Sequence, residues 1–277
     1  MFGSFSFRSD GNDPWLPGRI GLMGAMPEEN HLVERAISVA QTREIARRDY
    51  VSGTLEGLPV AAVFSRWGKV AAAATTATLI EQFETDLVVF VGVAGAADPD
   101  LNVGDVVIGQ NLFQHDMDVS GLPQFSKYEI PLLDVMSFSS EPRFTEIAAQ
   151  SAAAYLKESL YDDIAGGLLS EFGLLQPKVV TGDIGSGDQF INDPARVEEL
   201  RRDWPQLQAV EMEGAAMAQV AHEHGVPFVV IRIVSDRADH SAHLDFPRFI
   251  QEVAARMAFG LVRSFLTHVK TYAEPGR

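Results

Sequence analysis

Leu87-Val88-Val89-Phe90-Val91-Gly92-Val93 has no polar side chain at any position. A strand with one face in water alternates, so an unbroken apolar run belongs to a strand covered on both faces, with helices above and below its sheet. The flanking sequence agrees. Residues 20–25 read as a second short buried strand, and Pro27 with Glu28, Glu29 and Asn30 opens a helix expected to run to about residue 40. Residues 50–55 and 59–65 suggest a hairpin around Glu56-Gly57-Leu58, followed by an Ala- and Thr-rich helix over 69–83. Further strands are expected at 103–109, 166–169, 178–181, 208–211 and 228–234, and helices at 143–158, 194–202, 214–224 and 246–270. Residues 121–142 have weak periodicity and read as a long excursion near a site or an interface. The alternation predicts an α/β fold, a three-layer αβα sandwich around a central mixed twisted sheet.

At 277 residues the chain has room for one large domain or two small ones, and no repeat or linker divides it. The expectation is a single domain over 19–270, a loose extension over 1–18 without signal-peptide features, and a tail over 271–277. A formal net charge of −16 repels nucleic acid and anionic membrane surfaces, and the apolar runs fall short of the ~20 residues of a membrane span. The chain has no cysteine, which removes thiolate chemistry and suits a cytoplasmic protein.

Gly21-Leu22-Met23-Gly24 and Gly92-Val93-Ala94-Gly95 do not fit the dinucleotide fingerprint, no Walker sequence is present, and Ile184 spoils a nucleophile elbow at Gly185-Ser186-Gly187. His222 and His224 are two apart on a helix and diverge. Asp116 and Asp118, beside His115, would converge on an extended segment but lack further ligands for a metal. Carboxylates remain. Glu28 and Glu29 follow the first strand, Glu211 and Glu213 interrupt an apolar run, and Asp236 follows the strand 228–234. Each alone fits a helix cap, but ligands of open α/β sheets bind beyond the carboxyl ends of strands. Their joint placement, with Arg232 nearby, points to one pocket.

Several motifs then stand in one order: Gly24-Ala25-Met26-Pro27-Glu28-Glu29, Gly68-Lys69-Val70-Ala71, Val103-Gly104-Asp105, His115-Asp116-Met117-Asp118, Ser186-Gly187-Asp188-Gln189-Phe190-Ile191, Val210-Glu211-Met212-Glu213 and Arg232-Ile233-Val234-Ser235-Asp236. Together, from about residue 19 to 270, they resemble the 5′-methylthioadenosine/S-adenosylhomocysteine nucleosidases of the nucleoside phosphorylase superfamily. The resemblance implies hydrolysis of the N-glycosidic bond of an adenine nucleoside, without cofactor or metal. Asp236 would protonate adenine N7, a role that calls for a buried carboxyl. Glu29 would activate the attacking water with help from Arg232, and Glu213 would bind the ribose hydroxyls. Phe190 would stack on adenine and the Ile191 backbone would read its edge. Met26, Trp67, Met212 and Phe246 would line the ribose and 5′-substituent, with Glu211, Val93 and Ser235 as further wall residues. The resemblance also implies a homodimer in which residues 119–128 are candidates to close a neighbour's 5′ pocket.

Three positions depart from the family pattern. Val93 stands where Ser or Thr is common, which argues against phosphate binding but removes a contact to water. Arg66 replaces a usual Gly and could supply charge to an anion. Trp67 replaces a smaller aliphatic residue. A phosphorylase, a hydrolase of another nucleoside such as futalosine, and a non-catalytic nucleoside-binding module are the alternatives.

Overall fold

The structure, a computed structural model, describes residues 16–174, 176–238 and 248–273. Strand β5 (Leu87–Ala96) is the hub of a continuous sheet. Leu87, Val89 and Val91 enter one hydrophobic cluster, whereas Val88 and Phe90 enter another on the opposite face. The unbroken apolar run thus serves two cores at once.

β1 (Ile20–Gly24) and β10 (Phe228–Asp236) flank β5 in parallel. Beyond β1 lies a wing of β4 (Leu58–Phe64), β3 (Arg48–Leu55) and β2 (Ser38–Ile45), antiparallel among themselves. On the other side the sheet curls. β10 pairs with β6 (Val106–Gln114), β6 with β8 (Val179–Ser186), and β8 with β9 (Leu207–Glu211). β9 then returns to β5 through Gly95 opposite Val210 and Ala96 opposite Ala209, closing these five strands into a small barrel. Short β7 (Phe138–Ser139) extends β6. The sheet is mixed and helices cover both faces, as expected.

One helical layer holds α1 (Pro27–Ala36), α3 (Pro142–Glu158) and α8 (Ala255–Ala273), the last entered through a π-helical turn (Ile250–Ala254). The opposite layer pairs α2 (Lys69–Phe83) with α7 (Gly214–Glu223). α2 buries Ala72, Thr75, Thr76, Leu79 and Phe83, the i, i+3, i+4, i+7 stripe of a helix packed on one side. Its small Ala72 and Thr76 allow the close approach. Short α4 (Leu160–Asp163) and α5 (Gly166–Glu171) link α3 to β8, and α6 (Pro194–Asp203) follows β8.

Three local expectations are corrected. The first helix stops at Ala36, and Ser38–Ile45 forms β2, whose turn to β3 uses left-handed Ala46 (φ 51°) and Arg47 (φ 60°). Neither residue is a customary turn former, so the hairpin left no signal. Residues 166–169 are helical rather than extended, with Leu169 buried in the α3 and α8 core. β6 begins three residues late, since Gly104 (φ 89°) turns the chain first. Of the C-terminal helix expected from 246, the part before 248 lies outside the described residues.

Candidate active site

A cavity of about 300 Å³ lies at the carboxyl ends of the central strands. It brings together Met26 after β1, Val93 in β5, Phe190 and Ile191 after β8, Glu211, Met212 and Glu213 at the end of β9, and Arg232, Ser235 and Asp236 in β10, with Trp67 at its edge. Two candidates cannot be placed in it. Glu29 stands in the first turn of α1, with its side chain outside the described ones, and Phe246 lies outside the described residues.

The floor is built around a buried ion pair. Arg232 donates from Nη2 to Glu211 Oε2 at 2.7 Å and from Nη1 to the Phe90 carbonyl at 2.9 Å, with its guanidinium 4.3 Å from the Phe90 ring centroid. The side chains are only 1% and 3% exposed, an arrangement tolerable only with full pairing. Glu211 also accepts from the Glu213 amide at 3.1 Å, from the Gly214 amide at 2.8 Å, and from Ser186 Oγ. It satisfies the otherwise orphaned amides at the start of α7. The two acids of the interrupted apolar run therefore have different duties, since Glu211 is spent on the scaffold.

Glu213 is the residue that caps α7, and it is buried. Its Oε1 accepts the Gly68 amide at 2.7 Å, just ahead of α2. An ionised carboxylate only accepts hydrogen bonds, which suits it to hydroxyl donors.

Asp236, also buried, accepts from Ser235 Oγ on Oδ2 and from the Ala238 amide on Oδ1, both at 2.8 Å. A Cβ at position 95 would fall 2.9 Å from Asp236 Oδ1 and 3.0 Å from Ala238 Cβ. Gly95 thus makes room for the carboxyl. It belongs to the Gly92-Val93-Ala94-Gly95 stretch that fits no nucleotide fingerprint; this lies within β5, and its purpose is close packing of β5 on β10.

The rim is apolar and open. Trp67 is 62% exposed and Phe190 50% exposed. Gln189, beside Phe190, also lines the cavity, although nothing in its sequence setting marks it as a site residue. Arg66 corrects an expectation. Its Nη2 donates to the Arg47 carbonyl at 2.6 Å, outside the cavity lining, so it brings no charge to the site. Its φ of 73° is a left-handed conformation that favours Gly. The convergence expected of Asp116 and Asp118 also gives way, since Asp116 pairs with Lys69 and Asp118 accepts from Ser120. Among the described residues no three His, Asp or Glu side chains group as a metal site.

The model of the phosphorylase superfamily matches residues 19–267. The 5′-methylthioadenosine/S-adenosylhomocysteine nucleosidase of Anoxybacillus flavithermus is 37% identical over 235 residues, covering 85% of this chain and 92% of that protein. The crystal structure of the enzyme of that name from Neisseria meningitidis, in complex with methylthio-immucillin-A, superposes with a TM-score of 0.78 at 32% identity, covering 90% and 98% of the two chains. Futalosine hydrolase of Helicobacter pylori gives a TM-score of 0.76 at 28% identity, covering 90% and 97%. On sequence and structure alike, this chain belongs to the phosphorylase superfamily and, within it, to the family of 5′-methylthioadenosine/S-adenosylhomocysteine nucleosidases.

Proposed function

We propose that the protein hydrolyses the N-glycosidic bond of a 5′-modified adenine nucleoside, 5′-methylthioadenosine or S-adenosylhomocysteine, to adenine and the 5′-modified ribose. The observation that carries this is the meeting of Glu213, Asp236, Arg232 and Phe190, from distant parts of the chain, around one cavity. Phe190 stacks on the base, and the Ile191 backbone reads its edge. Glu213 accepts hydrogen bonds from the ribose hydroxyls and places negative charge beside the sugar as it becomes cationic.

The departing adenine is a poor leaving group as an anion. Asp236 gives a proton to N7 as the bond breaks, and Ser235 and the Ala238 amide keep its carboxyl in one orientation. Glu29 takes a proton from the water that attacks the anomeric carbon, and Arg232 helps to position that water at the inner wall. Met26, Met212 and Trp67 surround the ribose and its 5′ group, a role the family resemblance also implies for Phe246. Val93 argues for water rather than phosphate as the nucleophile, since an apolar wall offers a phosphate no donor.

Homodimerisation is supported by exposed apolar side chains beside the cavity and in the connection between β6 and β7, among them Trp67, Val70, Leu122 and Leu132. Residues 119–128 of a second copy would close the 5′ end. The strongly acidic composition accords with work in the cytoplasm on a small-molecule substrate.

A second reading has one observation in its favour. Trp67 offers an exposed aromatic face at the cavity edge, in a fold shared with a futalosine hydrolase, so an adenosine with an aryl-bearing 5′ group is the alternative substrate. A panel of adenosines varying only at the 5′ position separates the two. Fastest turnover with methylthio or homocysteinyl substituents supports the first reading, and preference for an aryl-bearing substituent supports the second.

A further inference from the structure

The His115-Asp116 pair takes no step in that reaction, yet it stands behind both halves of the substrate site. Asp116, just beyond β6, accepts Lys69 Nζ on Oδ1 at 2.6 Å and the Asp188 amide on Oδ2 at 2.9 Å. Lys69 is the first residue of α2, and its own amide donates to Asp188 Oδ1 at 2.8 Å. The preceding amide, Gly68, holds Glu213. The loop that carries Phe190 and Ile191 and the carboxylate assigned to ribose are thus fastened side by side to one helix N-terminus.

Sterics reinforce the arrangement. A Cβ at position 187 would lie 2.3 Å from His115 Cε1, so the imidazole packs directly under the base loop and Gly187 is required. A Cβ at position 68 would lie 2.9 Å from Asp188 Oδ1, and its φ of 89° suits glycine in any case. Lys69 Nζ makes a second bond, to Gln114 Oε1 at 3.0 Å, and Gln114 in turn donates to Gln219 on α7 at 2.7 Å. Lys69 and Asp116 are 18% and 17% exposed, so their pair is shielded more than a surface ion pair. Burial works against the charge on Asp116, but the bonds from Lys69 and Asp188 outweigh it and hold its pKa below the ordinary carboxylate value.

We propose that Lys69 and Asp116 are positioning residues that fix the separation between the base-binding loop and the ribose carboxylate. This rests on the nucleosidase reading. A base and a sugar gripped at a set spacing present the glycosidic bond in one geometry to acid and water, and a displacement of about 1 Å costs as much as 10²-fold in rate. Asp116, whose motif lacks the ligands of a metal site, therefore serves as half of a latch whose cation is the Lys69 ammonium.

The test compares the intact protein with Lys69→Met, Asp116→Asn, their double variant and Lys69→Arg. Three readouts are needed: kcat for methylthioadenosine, the Kd of adenine alone by calorimetry, and Tm. The latch predicts that each single variant weakens adenine binding and lowers kcat by about 10-fold, within the range expected of misplaced groups. The double variant should be no worse than the poorer single one, because both break one unit, and Lys69→Arg should recover most of the loss. Unchanged adenine Kd and kcat with a lowered Tm would reduce the pair to scaffolding and overturn the proposal. Additive losses would do the same. Wild-type protein that neither binds adenine nor cleaves methylthioadenosine would refute the nucleosidase reading and take the latch with it, an outcome distinct from a latch failure in an active enzyme.

Discussion

The inner floor and the outer rim of the cavity are built in opposite ways. On the floor, Arg232 is bound to Glu211 and to the Phe90 carbonyl, Glu211 holds the first amides of α7, and Asp236 is seated by Ser235 and Ala238. At the rim, Trp67 and Phe190 stand at least half exposed, with further apolar side chains around them. The floor is preorganised by hydrogen bonds that exist without substrate, which is what charge stabilisation in a transition state needs. The rim has apolar surface still to bury. In the proposed function, chemistry belongs to the floor, and selection of the 5′ group, together with closure by a second copy, belongs to the rim.

The largest effect should come from the floor. Asp236→Asn, nearly isosteric, should lower kcat for methylthioadenosine by about 10³-fold, within the range for loss of a proton donor, and leave adenine binding measurable by calorimetry. Retained turnover would move the acid elsewhere. Glu211→Ala strands a buried guanidinium and should destabilise the fold by about 3–5 kcal/mol in urea denaturation, as removal of one partner of a buried pair does. A loss below about 1 kcal/mol would show that water reaches Arg232 and that the floor is not sealed. Glu213→Gln keeps the shape but weakens acceptance from two hydroxyls, and about 10²-fold in kcat/KM for ribonucleosides is expected. The loss should shrink with 2′-deoxy substrates.

Rim substitutions should act on preference rather than rate. Trp67→Ile is expected to leave kcat for methylthioadenosine within about 3-fold, in line with the modest value of one apolar wall, while changing the ranking of larger 5′ groups. A collapse of kcat would erase the distinction between rim and floor. The smallest effect concerns His115, which packs under the base loop. Burial holds its pKa below the ordinary value of 6.5, with Asp116 pulling the other way. The unfolded chain therefore binds the proton first, and stability falls as pH drops through 6.5 toward the folded value. Unfolding midpoints measured from pH 7.5 to 5 should fall less steeply for His115→Gln than for wild type.

The sequence exposed the floor better than its supports. The apolar run of β5, the Ala-rich face of α2 and the acids at strand ends each carry a local pattern that is legible in the chain itself. β2 was not, because Ala46 and Arg47 adopt left-handed turns without the Gly or Asn that advertises them. Closure of β9 onto β5 rests on two residue pairs distant in the chain, Gly95 with Val210 and Ala96 with Ala209. The latch was hidden for the same reason: Lys69, Asp116 and Asp188 stand in separate motifs, and nothing pairs them until three segments meet. Arg66 misled in the other direction, since a cation beside a pocket motif suggested an anion site while its backbone turn aims it at Arg47.

The central claim is that this floor passes the glycosidic bond to water. Incubating the protein with 5′-methylthioadenosine, with and without phosphate, and identifying the sugar by mass spectrometry tests it directly. The account predicts adenine and free 5-methylthioribose at the same rate in both cases. Turnover that requires phosphate and yields 5-methylthioribose 1-phosphate would contradict it.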